Sequence, residues 1–226
     1  GEGLSGTGPK AGGPQYVRRF MKGETVQRPT ESIDGKIDAG KLESLISRVN
    51  KMSTLPPKAR VEAMSPVFDL VPEPLDAQPE EMPGPTGESN ILSNHARGTL
   101  LCLGPDRETA IEQMAMALAQ GNKAVVIAPG ISDLVDRAAR FGLPVVGMEG
   151  RLEPDAVETV DGFEAIVSCA KPSLLKPYRR ALMKRKGALL PLIVEHKLDQ
   201  RYVIERHLCI DTTAAGGNAS LIAASE

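Results

Sequence analysis

The second half of the chain alternates short apolar runs with longer segments whose apolar residues recur at helical spacing. A short apolar run bounded by turn residues is typical of a buried strand, and a period near 3.6 residues is typical of a helix that packs on one face. Strands that alternate with helices indicate consecutive βαβ units and a mainly parallel sheet. The pattern predicts strands at 98–104, 123–129, 143–148, 163–169 and 188–195, and helices at 107–121, 132–140 and 174–187, with a helical turn near 154–157.

The first 96 residues follow a different pattern, in which glycine and proline interrupt the apolar positions. Leu42, Leu45, Ile46 and Val49 recur at helical spacing and predict an amphipathic helix of about three turns. A second short helix is predicted at 57–64. The prolines that recur between 66 and 85 predict an extended linker, because an interior proline breaks a helix.

The segment after residue 200 predicts a sixth strand or a β-arm, followed by a tail of small residues. In 202–211 the apolar side chains alternate onto both faces of the strand, and such a strand is costly to expose. We therefore expect this arm to add to a sheet edge of another domain or of a second subunit. We assign its oligomerisation contacts to Val203, Ile204, Leu208 and Ile210.

Composition and charge exclude several classes of function. The 226 residues are 41% hydrophobic and 25% charged, which is typical of a globular chain. The 27 basic and 29 acidic residues give a net charge of -2, so the segment lacks the basic field that nucleic acid requires. No apolar run approaches the roughly 20 residues of a membrane span, and no signal peptide is evident. We expect a cytoplasmic protein, and the missing initiator Met indicates a processed chain or a piece of a longer one.

The candidate chemistry is sparse. After the first strand, Gly104–Thr109 contains one glycine where a dinucleotide-binding loop has three, so the expected fingerprint is missing. Cys102, Cys169 and Cys209 lie in apolar runs, so we expect reduced thiols in the core. Cys169 also ends a predicted strand, but a core thiol is a better interpretation than a nucleophile. The histidines lack metal-ligand spacing. We therefore assign no catalytic, cofactor-binding or metal-binding residue. An independent nucleotide-binding Rossmann module, with Gly104–Thr109 at the phosphate, remains the alternative.

Two stretches near the ends of the chain resemble a known family. GEGLSGTGPKAGGPQYVRRF at 1–20 resembles the end of the catalytic domain of a glutamate semialdehyde dehydrogenase, in the form found in the bifunctional proline utilization A family. ERHLCIDTTAAGGNASLIA at 205–223 resembles the extreme C-terminus of that family. The long separation of the two stretches is similar to that in the longer members, which carry an extra domain that resembles the nucleotide-binding domain of aldehyde dehydrogenases without its activity.

The resemblance implies that this chain is the C-terminal part of an enzyme that oxidises L-proline to L-glutamate. FAD would serve the proline dehydrogenase and NAD the glutamate semialdehyde dehydrogenase, and both would bind upstream of Gly1. This chain alone would not be catalytic. Its partners would be the upstream catalytic domains of the same polypeptide and, in a homo-oligomer, a second copy, with no nucleic acid bound through this segment.

The resemblance also divides the chain into segments with separate roles. Residues 1–22 would end the catalytic domain, 23–96 would form a helical and Pro-rich linker, 97–201 a Rossmann-like domain, and 202–226 the β-arm and a lid over a cavity that links two active sites. The residues near the aldehyde pocket would be Gly1, Glu2, Gly3, Leu4 and Ser5, and those of the lid Thr212, Thr213, Ala214, Ala215, Gly216, Gly217, Asn218, Ala219, Ser220 and Leu221.

Overall fold

The computed structural model describes residues 11–14, 16, 17, 28, 30, 34–196 and 198–211. The residues assigned to the aldehyde pocket (1–5) and to the lid (212–221) lie outside the described residues. The first elements along the chain are β1 (Lys36–Ile37), α1 (Ala39–Asn50), α2 (Pro57–Met64), β2 (Glu80–Met82) and β3 (Glu88–Ala96).

The α/β unit follows these elements. Its members are β4 (Thr99–Cys102), α3 (Arg107–Ala119), β5 (Lys123–Ile127), α4 (Ser132–Arg140), β6 (Val145–Met148), β7 (Arg151–Leu152), α5 (Ala156–Thr159), β8 (Ala165–Val167), α6 (Pro172–Lys184) and β9 (Leu192–Ile193). A 3-10 helix (Asp199–Tyr202) then leads into β10 (Val203–Asp211).

A parallel sheet of five strands confirms the predicted α/β fold class. The strand order is β6-β5-β4-β8-β9, and every neighbouring pair is parallel. The chain adds β5 and β6 on one side of β4 and then returns to add β8 and β9 on the other side. This reversal between β4 and β8 is the switch point at which doubly wound sheets bind ligands.

Helices cover both faces of this sheet. Leu100 and Cys102 of β4 point into a buried cluster with α2, α3 and α4, whereas Leu101 points into a second cluster with α1, α5 and α6. Successive strand residues face opposite sides, so a strand with apolar residues at every position is buried on both faces. The four apolar residues predicted to form one face of α1 are all buried in the second cluster.

Side-chain caps mark where α1 and α3 begin. The carboxylate of Asp38 accepts a hydrogen bond from the Lys41 N–H at 2.9 Å, and that of Asp106 accepts one from the Thr109 N–H at 2.8 Å. Each bond satisfies one of the unpaired donors in the first turn. Gly121, with a φ of 81°, follows the end of α3 in the left-handed region that glycine adopts readily. The predicted start and stop of α3 are confirmed.

The structure contains a strand that the hydrophobic pattern did not predict. β3 pairs antiparallel with β10 along the whole length of both, from Ala96 opposite Val203 to Glu88 opposite Asp211, and β2 pairs with its other edge. The sequence of β3 is ESNILSNHA, which lacks the alternation of a half-buried strand. The predicted strand at 188–195 is also shorter than expected, because only Leu192–Ile193 pairs with β8. Among the described helices, none combines the length and apolar character that crossing a bilayer requires.

Candidate functional site

A crevice opens at the carboxyl ends of the parallel strands, on the switch-point side of β4. It is a cavity of about 260 Å³ between the segments that follow β4, β5 and β8, with β7 and α6 closing the remaining sides. The pairing of β7 with β1 brings Arg151 to its edge. The lining residues are Thr30, Leu103, Pro105, Ile127, Ala128, Pro129, Gly150, Arg151, Leu152, Glu153, Pro154, Ser168, Ala170, Leu174, Pro177 and Tyr178.

The loop between β4 and α3 occupies the position where a dinucleotide-binding loop would hold a phosphate. The Gly104 N–H donates to Oε1 of Gln113 at 3.0 Å, and Nε2 of Gln113 donates to the Gly104 carbonyl at 3.0 Å. The carboxylate of Asp106 accepts from both the N–H and the hydroxyl of Thr109. The donors of Gly104 and Thr109 are therefore paired, and a negative charge stands at the N-terminus of α3, where a phosphate would otherwise be favoured.

The polar side chains of the cavity come mainly from β7 and α6. Glu153 lies 3.4 Å from the ammonium of Lys36, and the phenol of Tyr178 donates to the Leu152 carbonyl. Burial raises the pKa of Tyr178 to about 12, and the charges of Arg151 and Glu153 act on the same phenol in opposite directions. The phenol therefore stays protonated and remains a donor. Arg151 is exposed and has no ion pair within the part of the chain that the structure describes.

Cys169 follows β8 beside this loop. Its N–H donates to the Gly104 carbonyl at 3.0 Å, and its sulfur lies 3.8 Å from Nε2 of Gln113. Burial is the main cause that raises the pKa of the thiol. A buried, protonated thiol is a poor nucleophile, because the thiolate is the reactive form. Cys209, in contrast, is exposed on β10, so the expectation that all three cysteines lie in the core is wrong for this residue.

Histidines and carboxylates do not form a metal centre in the described ranges. No group of three or more His, Cys, Asp or Glu side chains there has the arrangement to hold a metal ion. Glu112 lies 3.5 Å from Nε2 of His196, and Asp133 lies 3.6 Å from the guanidinium of Arg107. Each is a contact between one acidic and one basic side chain.

The predicted oligomerisation arm is β10, and three of its four assigned residues lie on one face. These three are Ile204, Leu208 and Ile210. Leu208 is 54% exposed and Ile210 is 45% exposed. Val203 lies on the opposite face and is only 7% exposed, so it packs within its own chain. β10 is an edge strand, and its second edge pairs with no strand that the structure describes.

Sequence reasoning did not identify the cavity or the role of Gln113. Gln113 lies within the apolar run of α3 and is buried, and its carboxamide spans nine residues to reach Gly104. A buried glutamine in an otherwise apolar helix face is the only sequence signal that points to it, since such a side chain requires a partner. Arg151 and Glu153 are two residues apart in a short segment without a strong pattern.

Comparisons with known proteins identify relatives across nearly the whole chain. No protein-family model matches. The chain is 31% identical over 239 residues to the bifunctional protein PutA of Escherichia coli K12, and 30% identical over 237 residues to that of Salmonella typhimurium. Each alignment covers 98% of this chain but only 17% of the relative, so the chain spans about a sixth of the length of these proteins.

A crystal structure of a mutant of Bradyrhizobium japonicum proline utilization A is also similar, with a TM-score of 0.44 and 23% identity. The structural match covers 60% of this chain and 14% of the Bradyrhizobium japonicum protein. The sequence similarity to the curated relatives runs through the linker, the α/β unit and the β-arm alike. The chain therefore corresponds to one segment of the bifunctional proline utilization A proteins.

Proposed function

We propose that this chain is part of a bifunctional enzyme that oxidises L-proline to L-glutamate. In this assignment an FAD-dependent proline dehydrogenase and an NAD-dependent glutamate semialdehyde dehydrogenase lie elsewhere in the same polypeptide. The observation that carries the proposal is the similarity over 98% of the chain to proteins named bifunctional protein PutA. The activity thus belongs to the whole polypeptide, and this segment has a structural and assembly role in it.

The crevice supports a role without cofactor chemistry for this segment. Gln113 and Asp106 already pair two backbone donors of the loop where a pyrophosphate would bind, those of Gly104 and Thr109. The alternative function, a nucleotide-binding module, would require these contacts to break and the Asp106 carboxylate to move away from the phosphate. FAD and NAD are therefore assigned to the upstream domains.

The assembly role is assigned to β10. A strand edge without a partner, next to exposed Leu208 and Ile210, is a template for pairing with another strand. Across the ladder Leu208 lies opposite Ile91, which extends the apolar face onto β3. We assign to this face, defined by Ile91, Ile204, Leu208 and Ile210, contact with an upstream domain or with a second copy of the polypeptide.

Substitution of the exposed apolar residues in the full-length parent tests this role. The double variant Leu208→Ser/Ile210→Ser should lower the oligomeric state measured by light scattering, because it removes the apolar area that a partner would cover. The matched control is Met183→Ser on α6, which removes an even more exposed apolar side chain (82%) from a different surface. The assembly role is wrong if the double variant keeps both its oligomeric state and its coupled activity from proline to glutamate.

A further inference from the structure

The crevice at the ends of β4, β5 and β8 has the dimensions of a site for a small molecule. Its volume of about 260 Å³ is below the roughly 300–1,000 Å³ of pockets that enclose drug-sized ligands. A dinucleotide exceeds this volume, and the loop at Gly104–Thr109 is closed to its phosphates by Gln113 and Asp106. A ligand of this cavity must therefore be small and must bind without using that loop.

The charge at the cavity favours a small anion. Glu153 is balanced by Lys36 at 3.4 Å, whereas Arg151 has no ion pair with the residues that the structure describes. The effect of Arg151 and Glu153 on the pKa of Tyr178 agrees with both charges lying near the cavity wall. A guanidinium presents paired N–H donors that match the two oxygens of a carboxylate.

The remaining walls are apolar and rigid. Four of the lining residues are prolines, which have no N–H to donate and a restricted backbone. Three hydroxyl groups line the cavity, and those of Tyr178 and Ser168 are already engaged, with the Leu152 carbonyl and with the Gly104 carbonyl at 3.4 Å. The third belongs to Thr30. A ligand that enters the cavity therefore needs a mainly apolar body. The four prolines are Pro105, Pro129, Pro154 and Pro177.

We propose that this cavity binds a small monocarboxylate with a branched or cyclic apolar body. Its carboxylate pairs with the guanidinium of Arg151, and its body lies between Ala170, Leu174 and the proline walls. The site uses residues of this chain alone, so it stands apart from the assembly role of β10 and from the activity of the parent.

Titration calorimetry of the 226-residue chain with two molecules of the same shape tests the site. Isobutyrate should bind saturably, and isobutyramide, which lacks the charge, should bind at least tenfold more weakly. Arg151→Gln should weaken isobutyrate binding about tenfold, which corresponds to about 1.4 kcal/mol, and should leave isobutyramide unchanged. Arg180→Gln, which removes an exposed arginine of α6 outside the cavity, is the matched control and should bind isobutyrate as the unmodified chain does.

A second variant separates the cavity from the charge. Ala170→Leu fills the cavity while Arg151 is retained, so it should abolish isobutyrate binding; circular dichroism shows whether each variant is folded. Absence of saturable isobutyrate binding overturns the proposal, and so does equal binding of the amide or unchanged affinity in Arg151→Gln. NAD is titrated as a third ligand. If NAD binds at micromolar concentration and competes with isobutyrate, the cavity is a nucleotide site and the carboxylate proposal is wrong. None of these outcomes depends on the oligomeric state of the parent.

Discussion

At the scale of single residues, two asparagine side chains link separate elements by hydrogen bonds. Asn50 at the end of α1 accepts from the Thr99 hydroxyl and donates to the Gly162 carbonyl, so it ties the helix to the sheet and to the loop before β8. Asn122 accepts from the Gly98 N–H and donates to the Tyr202 carbonyl. Each of these side chains pairs backbone groups that no helix or strand ladder reaches. The bond from Asn122 to Tyr202 is buried, where an unpaired group is costly.

The buried thiol of Cys102 makes stability depend on pH. Burial raises the pKa of this thiol from 9.0 to about 12. The unfolded chain therefore loses the proton first, and the contribution of the neutral thiol is complete below pH 9.0 and is lost as the pH rises toward 12. We expect the free energy of unfolding to fall by on the order of 1 kcal/mol from this group between about pH 8 and about pH 10.

Urea unfolding at these two pH values measures the effect. Cys102→Ala should show a smaller decrease in the free energy of unfolding than the unmodified chain. Cys209→Ala is the control, because Cys209 is exposed and its removal should leave the decrease unchanged. Tyr178, whose pKa burial also raises to about 12, adds to the decrease in every variant. Identical decreases in Cys102→Ala and in the unmodified chain would contradict the prediction.

At the scale of elements, capping decides which helices begin where the sequence predicts. Asp106 is buried and accepts two hydrogen bonds from Thr109, whereas Asp38 accepts one from the exposed first turn of α1. Asp155 precedes the short helix α5 and makes no side-chain cap bond. All three aspartates thus occupy the N-cap position of their helices, but they differ in the number of capping hydrogen bonds that they accept.

Alanine substitutions at the three caps should rank by these bonds. We expect Asp106→Ala to lower the free energy of unfolding by about 2 kcal/mol and Asp38→Ala by about 1 kcal/mol, the range typical of lost N-caps. Asp155→Ala is the matched control and should change it little. Midpoints of urea unfolding give the ranking. If Asp155→Ala lowers the free energy of unfolding as much as Asp106→Ala does, the cap hydrogen bonds do not account for the effect.

At the scale of the whole molecule, we propose that the tail that follows β10 covers a cavity between the two active sites of the parent. Residues 212–221 are rich in alanine, glycine and small polar side chains, which let a backbone approach another surface closely while pairing its polar groups. β10 ends at Asp211, opposite Glu88, at the far end of the antiparallel ribbon.

Deletion of residues 212–226 from the parent tests whether the tail covers this cavity. The intermediate would escape into solvent, so NADH formation from proline should show a lag before its steady rate while each half-reaction keeps its own rate. Deletion of 223–226 alone is the matched control, because it leaves Leu221 and Ile222 to anchor the segment. The covering role is refuted if the longer deletion gives neither a lag nor free intermediate.

The sequence by itself determined the parallel sheet, most of its helices and the start of α3. Strands buried on both faces have apolar residues at every position, and caps and terminal glycines are local signals, so these features need no knowledge of distant contacts. The short length of β9 and the strand β3 were not accessible in this way. β3 is largely polar, and its pairing with β2 and along its whole length with β10, more than a hundred residues further along the chain, makes it a strand.

Only the tertiary structure decided the character of the site. The missing glycines predicted a poor phosphate loop, but the pairing of Gly104 with Gln113, and the cavity that Arg151 borders, depend on how α3, β7 and α6 pack around the sheet. Such contacts follow from side chains that meet in space without any periodic signal along the chain. The physical reason is that burial and backbone pairing impose a pattern on the sequence, whereas a single hydrogen bond or a gap between elements does not.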